Sequence, residues 1–164
     1  ATNESGYEFP FLLDGKVVDN NQIEFSEFIS SGENRKHIEA DFNPEMIDKL
    51  QDRINGNLNN GLVICHGHSH PPIGSFHQNF SLGDFTSYMQ MKEDNPVFKN
   101  RQVELVGCLV TSTGDINFVF YDNVNENFYR FTNVVVREKD NSFTPVNCYG
   151  LNQSQQLNNG NIRR

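Results

Sequence analysis

The sequence predicts a mixed α/β domain in which a central mixed β-sheet is flanked by two helices. Short runs of β-branched and aromatic residues, bounded by Gly, Asn and Asp, indicate the strands, and two segments carry helix-start signals. A chain of 164 residues is long enough to bury one hydrophobic core without staples. We therefore expect one domain over residues 1–149, followed by a polar, disordered tail over residues 150–164 that is rich in Gln and Asn.

The chain is predicted to begin with strands. Residues 7–13 and 16–18 are largely apolar and flank an Asp-Gly pair at 14–15, which is typical of a β-hairpin turn. Pro10 favours an edge or a bulge over a mid-sheet position, because proline cannot donate to a ladder. Residues 22–29 alternate well enough to predict a further strand, with a short helix as the alternative.

The first predicted helix follows a polar loop over residues 30–40. Asn43 can cap this helix, while Pro44 and Glu45 suit its first turn. Its buried face would carry four apolar side chains, Met46, Ile47, Leu50 and Ile54. The short β-branched run at 61–65 follows an Asn-Asn-Gly sequence and predicts a buried strand.

The second half of the chain is predicted to hold one more helix and a meander. After a loop over 71–80, Ser81 and Asp84 have the spacing of a capping box, which predicts a helix start. The helix would end at Asn95-Pro96. Its buried stripe would consist of Phe85, Tyr88, Met89 and Lys92. Antiparallel strands are expected over residues 103–112, 115–121 and 128–138.

The charge balance excludes some classes of partner. A net charge of −8 argues against a nonspecific nucleic-acid binder, which would show a basic stripe. It argues equally against docking on an anionic membrane surface, and no apolar run approaches the length needed to span a bilayer. Peptides and small molecules remain possible substrates.

The cysteines favour a reducing compartment. Cys65, Cys108 and Cys148 form no CxxC pair, and the first two lie inside predicted strands, where a free cysteine usually acts as a small buried apolar residue. Disulfides are rare in reducing compartments. We therefore expect a cytoplasmic location.

A histidine-rich stretch directly follows the strand predicted at 61–65 and is the strongest functional signal. Two histidines separated by one residue on an extended segment project to the same side, so His68 and His70 can meet one metal. Asp84, at a helix start, can supply a third ligand. Three protein ligands and one open position are typical of a catalytic zinc site, and imidazoles with a carboxylate suit zinc better than calcium or magnesium. We expect one Zn²⁺ per chain.

His68-Ser-His70-Pro, followed by Ser81-Leu-Gly-Asp84, resembles the JAMM motif of the JAB1/MPN metalloprotease family (MPN+). The resemblance implies a JAB1/MPN-like, cytidine-deaminase-like fold in which the two histidines and Asp84 hold zinc. It also implies that Ser81 helps to stabilise the oxyanion. The segment around Glu8 resembles the opening strand of the family, which makes Glu8 the general base. The spacer over 71–80 is about three residues longer than is common in the family, so substrate contacts are expected to differ there.

Several alternatives stay open on the sequence alone. His66 and His68 could form the ligand pair instead, although the proline after His70 favours the later pair. His77 lies in the loop and could reach the cleft. Ser81 and Asp84 could form only a helix cap. Glu24 or Glu27 could be the base instead of Glu8. A Cys65–His66 dyad is unfavourable, since adjacent strand residues point to opposite faces.

The resemblance implies a zinc-dependent metallopeptidase or isopeptidase. Attack by zinc-bound water, assisted by Glu8, would cut an amide or isopeptide bond, with a peptide or a ubiquitin-like protein as the substrate. Two other functions share parts of the pattern. One is a non-catalytic MPN-like scaffold or binding module, although such relatives usually lack the ligands. The other is a RadC-like DNA-associated relative, which the acidic balance disfavours.

Overall fold

A computed structural model describes residues 8–19, 22–31, 44–70, 79–131 and 133–146. The predicted central mixed sheet is confirmed. Its strands in chain order are β1 (Phe9–Asp19), β2 (Gln22–Ser31), β3 (Leu62–Ser69), β4 (Glu104–Val110), β5 (Ile116–Asp122) and β6 (Asn127–Arg130). They lie in the order β2-β1-β3-β4-β5-β6 across the sheet. Only β3 and β4 run parallel among these described neighbours, which makes the sheet mixed.

The two predicted helices are also present. They are α1 (Pro44–Asn55) and α2 (Leu82–Asp94), and a short third helix, α3 (Pro96–Lys99), follows directly. α1 begins at Pro44, as predicted, and α2 begins directly after its predicted cap, Ser81, whereas the other predicted cap, Asn43, lies outside the described residues. A separate antiparallel hairpin is formed by β7 (Val134–Arg137) and β8 (Phe143–Val146). None of the helices in the described ranges is long and apolar enough to cross a membrane.

Two clusters of buried side chains hold the helices to the sheet. The first joins α1 and α3 to β1, β3 and β4, through Leu12, Met46, Leu62, Ile64, Phe98, Val103 and Leu105. The second joins α2 to β4 and β5, through Phe80, Tyr88, Leu109 and Val119. Full burial of such a side chain contributes roughly 1.5–3 kcal/mol, so both helices are fixed mainly by apolar contact. The second cluster fixes the helix that carries Asp84.

The predicted hairpin turn at Asp14-Gly15 is wrong, because β1 runs without interruption through this pair. The Asp14 carboxylate is buried and lies 3.1 Å from an Arg53 guanidinium nitrogen on α1, so the aspartate serves a helix contact. A Cβ on Gly15 would lie 2.5 Å from the Phe25 ring, so the glycine makes room for the neighbouring strand. Both residues of a typical turn pair are therefore used within a strand.

Pro10 was expected at an edge or a bulge, and it lies near the start of β1. β1 is an interior strand, and its pairing with β2 begins at Phe11, so Pro10 has no partner on that side among the described residues. On the other side it is paired with His68. The segment 22–29 is a strand, as predicted, rather than a short helix.

The predicted strand over 128–138 is also wrong. It is divided into β6 and β7, and β7 pairs with β8, which the sequence did not predict. Two residues expected in the buried helix faces are partly exposed, Ile47 at 41% and Met89 at 37%. Met91 packs against both clusters instead. Most of the loops predicted over 30–40 and 71–80 lie outside the described residues, as do His77, Cys148 and the tail 150–164.

Candidate metal centre

The end of β3 brings the histidines together. The strand continues to Ser69, so His66 and His68 lie within it, and His70 follows immediately. The sequence had placed all of them after the strand. The His70 backbone N–H donates to the Val110 carbonyl over 3.1 Å, which extends the parallel pairing with β4 by one residue. The Ser69 hydroxyl accepts from the Phe9 N–H at 3.3 Å and ties the end of β3 to the start of β1.

The start of α2 supplies the carboxylate. The predicted capping box is present: the Ser81 hydroxyl accepts from the Asp84 N–H at 3.1 Å, and Asp84 Oδ2 accepts from the Ser81 N–H at 2.7 Å. These reciprocal hydrogen bonds restrict the Asp84 rotamer. The cap and the proposed ligand role are therefore compatible, because the cap directs the same carboxylate towards the histidines.

Three donor groups converge at this point. His68 Nε2 lies 3.0 Å from His70 Nε2 and 3.3 Å from Asp84 Oδ1, and His70 Nε2 lies 3.5 Å from Asp84 Oδ2. Tetrahedral zinc with bonds of 2.0–2.2 Å needs ligand atoms roughly 3.3 Å apart, so these distances fit one zinc ion. The group could hold a metal ion.

Burial and charge also suit a cation at this point. His68 and His70 are 4% and 6% exposed. Burial alone would raise the pKa of the Asp84 carboxyl, but hydrogen bonds from His68, His70 and the Ser81 backbone outweigh it and hold that pKa well below its usual range. Asp84 is therefore an anion that faces two imidazoles in a site with little water, where attraction for a cation is strong.

Tyr88 holds His68 in position. The Tyr88 hydroxyl lies 3.4 Å from His68 Nδ1 and 3.4 Å from the His66 carbonyl oxygen. If the hydroxyl donates to the carbonyl and accepts from His68 Nδ1–H, the lone pair of His68 Nε2 is directed at the metal position. Burial raises the pKa of Tyr88 well above its ordinary value, so the phenol keeps its proton. Metal-binding histidines usually have such a partner on the second ring nitrogen.

The sequence indicated Tyr88 only as part of a buried stripe. The available signal was its spacing, since a residue four positions after Asp84 lies on the same side of the helix. Gly107 on β4 makes room for it, because a Cβ there would lie 2.4 Å from two atoms of the Tyr88 ring. The ring also makes edge contacts with His66 and Phe80, at centroid distances of 5.6 and 5.9 Å.

Glu8 lies beside the three donors. Its Oε1 atom is 3.6 Å from His70 Nε2, and its side chain is only 12% exposed. Glu8 directly precedes β1, where Phe9 pairs with Ser69, and this register brings it alongside His70. Glu24, one of the alternative bases, instead pairs with Arg137 at 3.2 Å and is 40% exposed. The structure therefore brings together Glu8, His68, His70 and Asp84 and leaves Glu24 apart.

The remaining candidate residues differ in position and environment. Burial, with a smaller effect from the neighbouring His68, lowers the pKa of His66 to about 3, so His66 is neutral at ordinary pH. Burial raises the pKa of the Cys65 thiol well above its usual value, which disfavours a thiolate nucleophile. The Glu27 side chain is outside the described part of the structure.

Comparison with known proteins adds no family assignment. No family model matches the chain, and no curated protein matches its sequence.

Proposed function

We propose that this protein is a zinc-dependent metallopeptidase or isopeptidase, a hydrolase that cuts an amide or isopeptide bond. The observation that carries the proposal is one cluster of His68, His70 and Asp84, with donor atoms 3.0–3.5 Å apart and the Glu8 carboxylate 3.6 Å from one of them. A metal site beside a buried carboxylate is the arrangement that hydrolysis needs. The resemblance of the motif to that of the JAB1/MPN family supports the same reaction.

His68, His70 and Asp84 would hold the zinc, leaving its fourth position open. When bound, zinc supplies a Lewis acid that lowers the pKa of water and polarises a carbonyl group. Glu8 accepts the proton from the attacking water, because its carboxylate reaches the same space from the β1 side. Glu8 then donates that proton to the leaving amine, so that one residue acts first as base and then as acid.

Ser81 can serve both the helix and the reaction. Its Oγ accepts from the Asp84 N–H, and among the described residues its own hydroxyl hydrogen has no acceptor. That hydrogen can donate to the oxyanion that forms when water attacks the carbonyl. Ser81 is exposed at the start of α2, so a substrate can reach it.

The substrate proposed is a peptide or the C-terminal tail of a ubiquitin-like protein, with no role for nucleic acid or a membrane. The net charge of −8 supports this choice. We propose a cytoplasmic location because Cys65 and Cys108 are both buried, free thiols.

A cleavage screen tests the proposal. Protein loaded with one equivalent of zinc is incubated with libraries of peptides and isopeptides, and the products are identified by mass spectrometry. The wild type is expected to cleave. Glu8→Gln should bind zinc equally but turn over about 10²–10⁴-fold more slowly, since it lacks the group that transfers the proton.

Glu24→Gln is the matched control, because it removes one carboxylate of the same type outside the cluster. It should retain the wild-type rate. Absence of any cleavage by zinc-loaded wild type, or full activity in Glu8→Gln, would contradict the proposal. Unchanged partner binding after loss of the metal site would instead favour the scaffold role.

A further inference from the structure

Arg130 on β6 differs from the other arginines that the structure describes. Arg53, Arg101 and Arg137 each lie within 3.2 Å of a carboxylate oxygen. Arg130 pairs with no carboxylate of the described residues, although the chain has 21 acidic residues. Its guanidinium carbon lies over two aromatic rings, 6.0 Å from the centroid of Phe80 and 5.9 Å from that of Phe85.

The environment of Arg130 makes the lack of a carboxylate partner among the described residues unusual. The residue is half-buried, and burial lowers the pKa of its guanidinium. A charged group withdrawn from water normally gains a partner of opposite charge, because desolvation is costly. Contacts with two aromatic faces offset part of that cost, and the five guanidinium N–H donors have no acceptor among the described residues. A site for an anion is therefore present without an anion from the described chain.

Asn117 on β5 adds a second donor beside it. The residue is 5% exposed, and its Nδ2 has no hydrogen-bond partner among the described atoms. Val119 is paired with Arg130, and the Phe131 N–H donates to the Phe118 carbonyl, so Asn117 and Arg130 are diagonal neighbours on one face of the sheet. Such neighbours have Cα atoms about 7–8 Å apart, within reach of one bound group.

Both residues lie close to the metal centre. Leu109 on β4 is paired with His68 on one side and Asn117 on the other, so these three residues form one row across the sheet. The Phe80 ring neighbours both groups, because its centroid lies 6.0 Å from the guanidinium carbon and 6.4 Å from the centroid of His68. An extended peptide advances about 3.3 Å per residue, so a side chain two to four residues from the scissile bond can reach the guanidinium.

We propose that Arg130 and Asn117 form a specificity subsite that binds a carboxylate of the substrate, two to four residues from the bond that is cut. The proposal rests on the proposed hydrolase function, since it places the subsite relative to the scissile bond. The guanidinium fork donates to both carboxylate oxygens, and the Asn117 amide donates to one of them. The Phe80 and Phe85 rings hold the guanidinium in its orientation. Substrates with an acidic residue at that position are therefore preferred.

Peptide binding tests this subsite separately from catalysis. The probes are fluorescein-labelled heptapeptide pools with amidated C-termini, in which one position is fixed as Glu or as the isosteric Gln and the others are neutral. Binding to zinc-loaded protein is measured by fluorescence anisotropy in a Glu8→Gln background, which prevents turnover. At one fixed position the Glu pool should bind about tenfold more tightly than the Gln pool, as expected for one charge-assisted contact.

The preference should disappear in Arg130→Gln, where both pools bind equally. Arg137→Gln is the matched control, because Arg137 also lies over a ring, at 5.5 Å from the Phe143 centroid, and its loss changes the net charge equally. This control should keep the tenfold preference. If Arg130→Gln does not fold, Asn117→Asp provides the second variant. Its new carboxylate occupies the Arg130 guanidinium and should also abolish the preference.

A free C-terminal carboxylate could occupy the same subsite, so Gln pools with free C-termini are included. Tighter binding of the Glu pool or of the free C-terminal pool supports the subsite if Arg130→Gln abolishes it. The pool that binds more tightly shows whether the subsite takes a side-chain or a C-terminal carboxylate. Equal binding of Glu, Gln and free-acid pools at every position overturns it, as does a preference that survives in Arg130→Gln. If the parent protein, with Glu8 intact, cleaves none of the pools, the hydrolase function is contradicted. The binding measurements still test the carboxylate subsite on their own.

Discussion

Substitution of Tyr88 by phenylalanine tests how the protein orients His68, one of the proposed metal ligands. The change keeps the ring, and with it the contacts to Phe80 and Gly107, but removes the hydroxyl that lies 3.4 Å from His68 Nδ1. His68 then loses the partner that fixes its tautomer and ring orientation. The variant should therefore fold normally and bind zinc more weakly.

The expected size follows from the geometry. Loss of a hydrogen-bonding partner to a metal-binding histidine typically costs 10–100-fold in metal affinity. Both hydrogen bonds of the Tyr88 hydroxyl measure 3.4 Å, which is long, so we expect the lower end, about tenfold or ~1.4 kcal/mol. The free energy of unfolding of the metal-free protein should fall by only about 1 kcal/mol, the usual value of one such bond.

Zinc affinity is measured by competition with a chromophoric chelator, and stability is measured by urea unfolding. Tyr121→Phe is the matched control, because Tyr121 is a buried tyrosine on β5 with no hydrogen bond from its hydroxyl among the described residues. It should bind zinc as the wild type does. Equal zinc affinity in Tyr88→Phe and wild type would refute the reasoning that Tyr88 orients His68.

Three further predictions concern other parts of the structure. Ser81→Asp should keep the cap of α2 and thus the melting temperature, whereas Ser81→Ala should lower the free energy of unfolding by about 1 kcal/mol. Both variants should cleave the substrate more slowly than the wild type. A fully active Ser81→Asp would show that Ser81 acts only as a helix cap. Lys92→Met should lower the free energy of unfolding in urea by about 3–5 kcal/mol, because it removes the ammonium group that lies 3.1 Å from the buried Glu104 carboxylate. The double variant with Glu104→Leu should recover most of this loss. No recovery would contradict the loss of this ion pair as the cause. Metal-free protein should lose stability as pH falls from 6.5 towards 3, because His66 takes up a proton in the unfolded chain but stays neutral when buried in the folded protein. His66→Gln should reduce the slope of unfolding free energy against pH by up to about 1.4 kcal/mol per pH unit. An unchanged slope would exclude His66 as its source.

The sequence was sufficient to predict the helices and strands that have strong local signals. The starts of α1 and α2 follow from capping residues and prolines, whose effect on the backbone is local. The central strands follow from compact β-branched runs. The turn expected at Asp14-Gly15 failed because a buried ion pair with Arg53 and a close contact with Phe25 use these residues within a strand, and both partners are distant in sequence.

The candidate site shows the same division. The grouping of His68, His70 and Asp84 could be predicted from their spacing, because the strand period and the helix cap are local patterns. The proximity of Glu8 depends on the register between β1 and β3, which the sequence suggested only through a family resemblance. Arg130 could not be singled out at all, since its lack of a carboxylate partner among the described residues is a property of the folded sheet.

The most direct test of the metal centre is a crystal structure of the zinc-loaded protein, with anomalous scattering recorded on both sides of the zinc absorption edge. The proposed site predicts one strong zinc peak bonded to His68 Nε2, His70 Nε2 and one Asp84 oxygen, at about 2.0–2.2 Å. Glu8 should lie close by without binding the metal. A peak coordinated by His66 instead, or no peak at this cluster, would contradict the proposed metal centre.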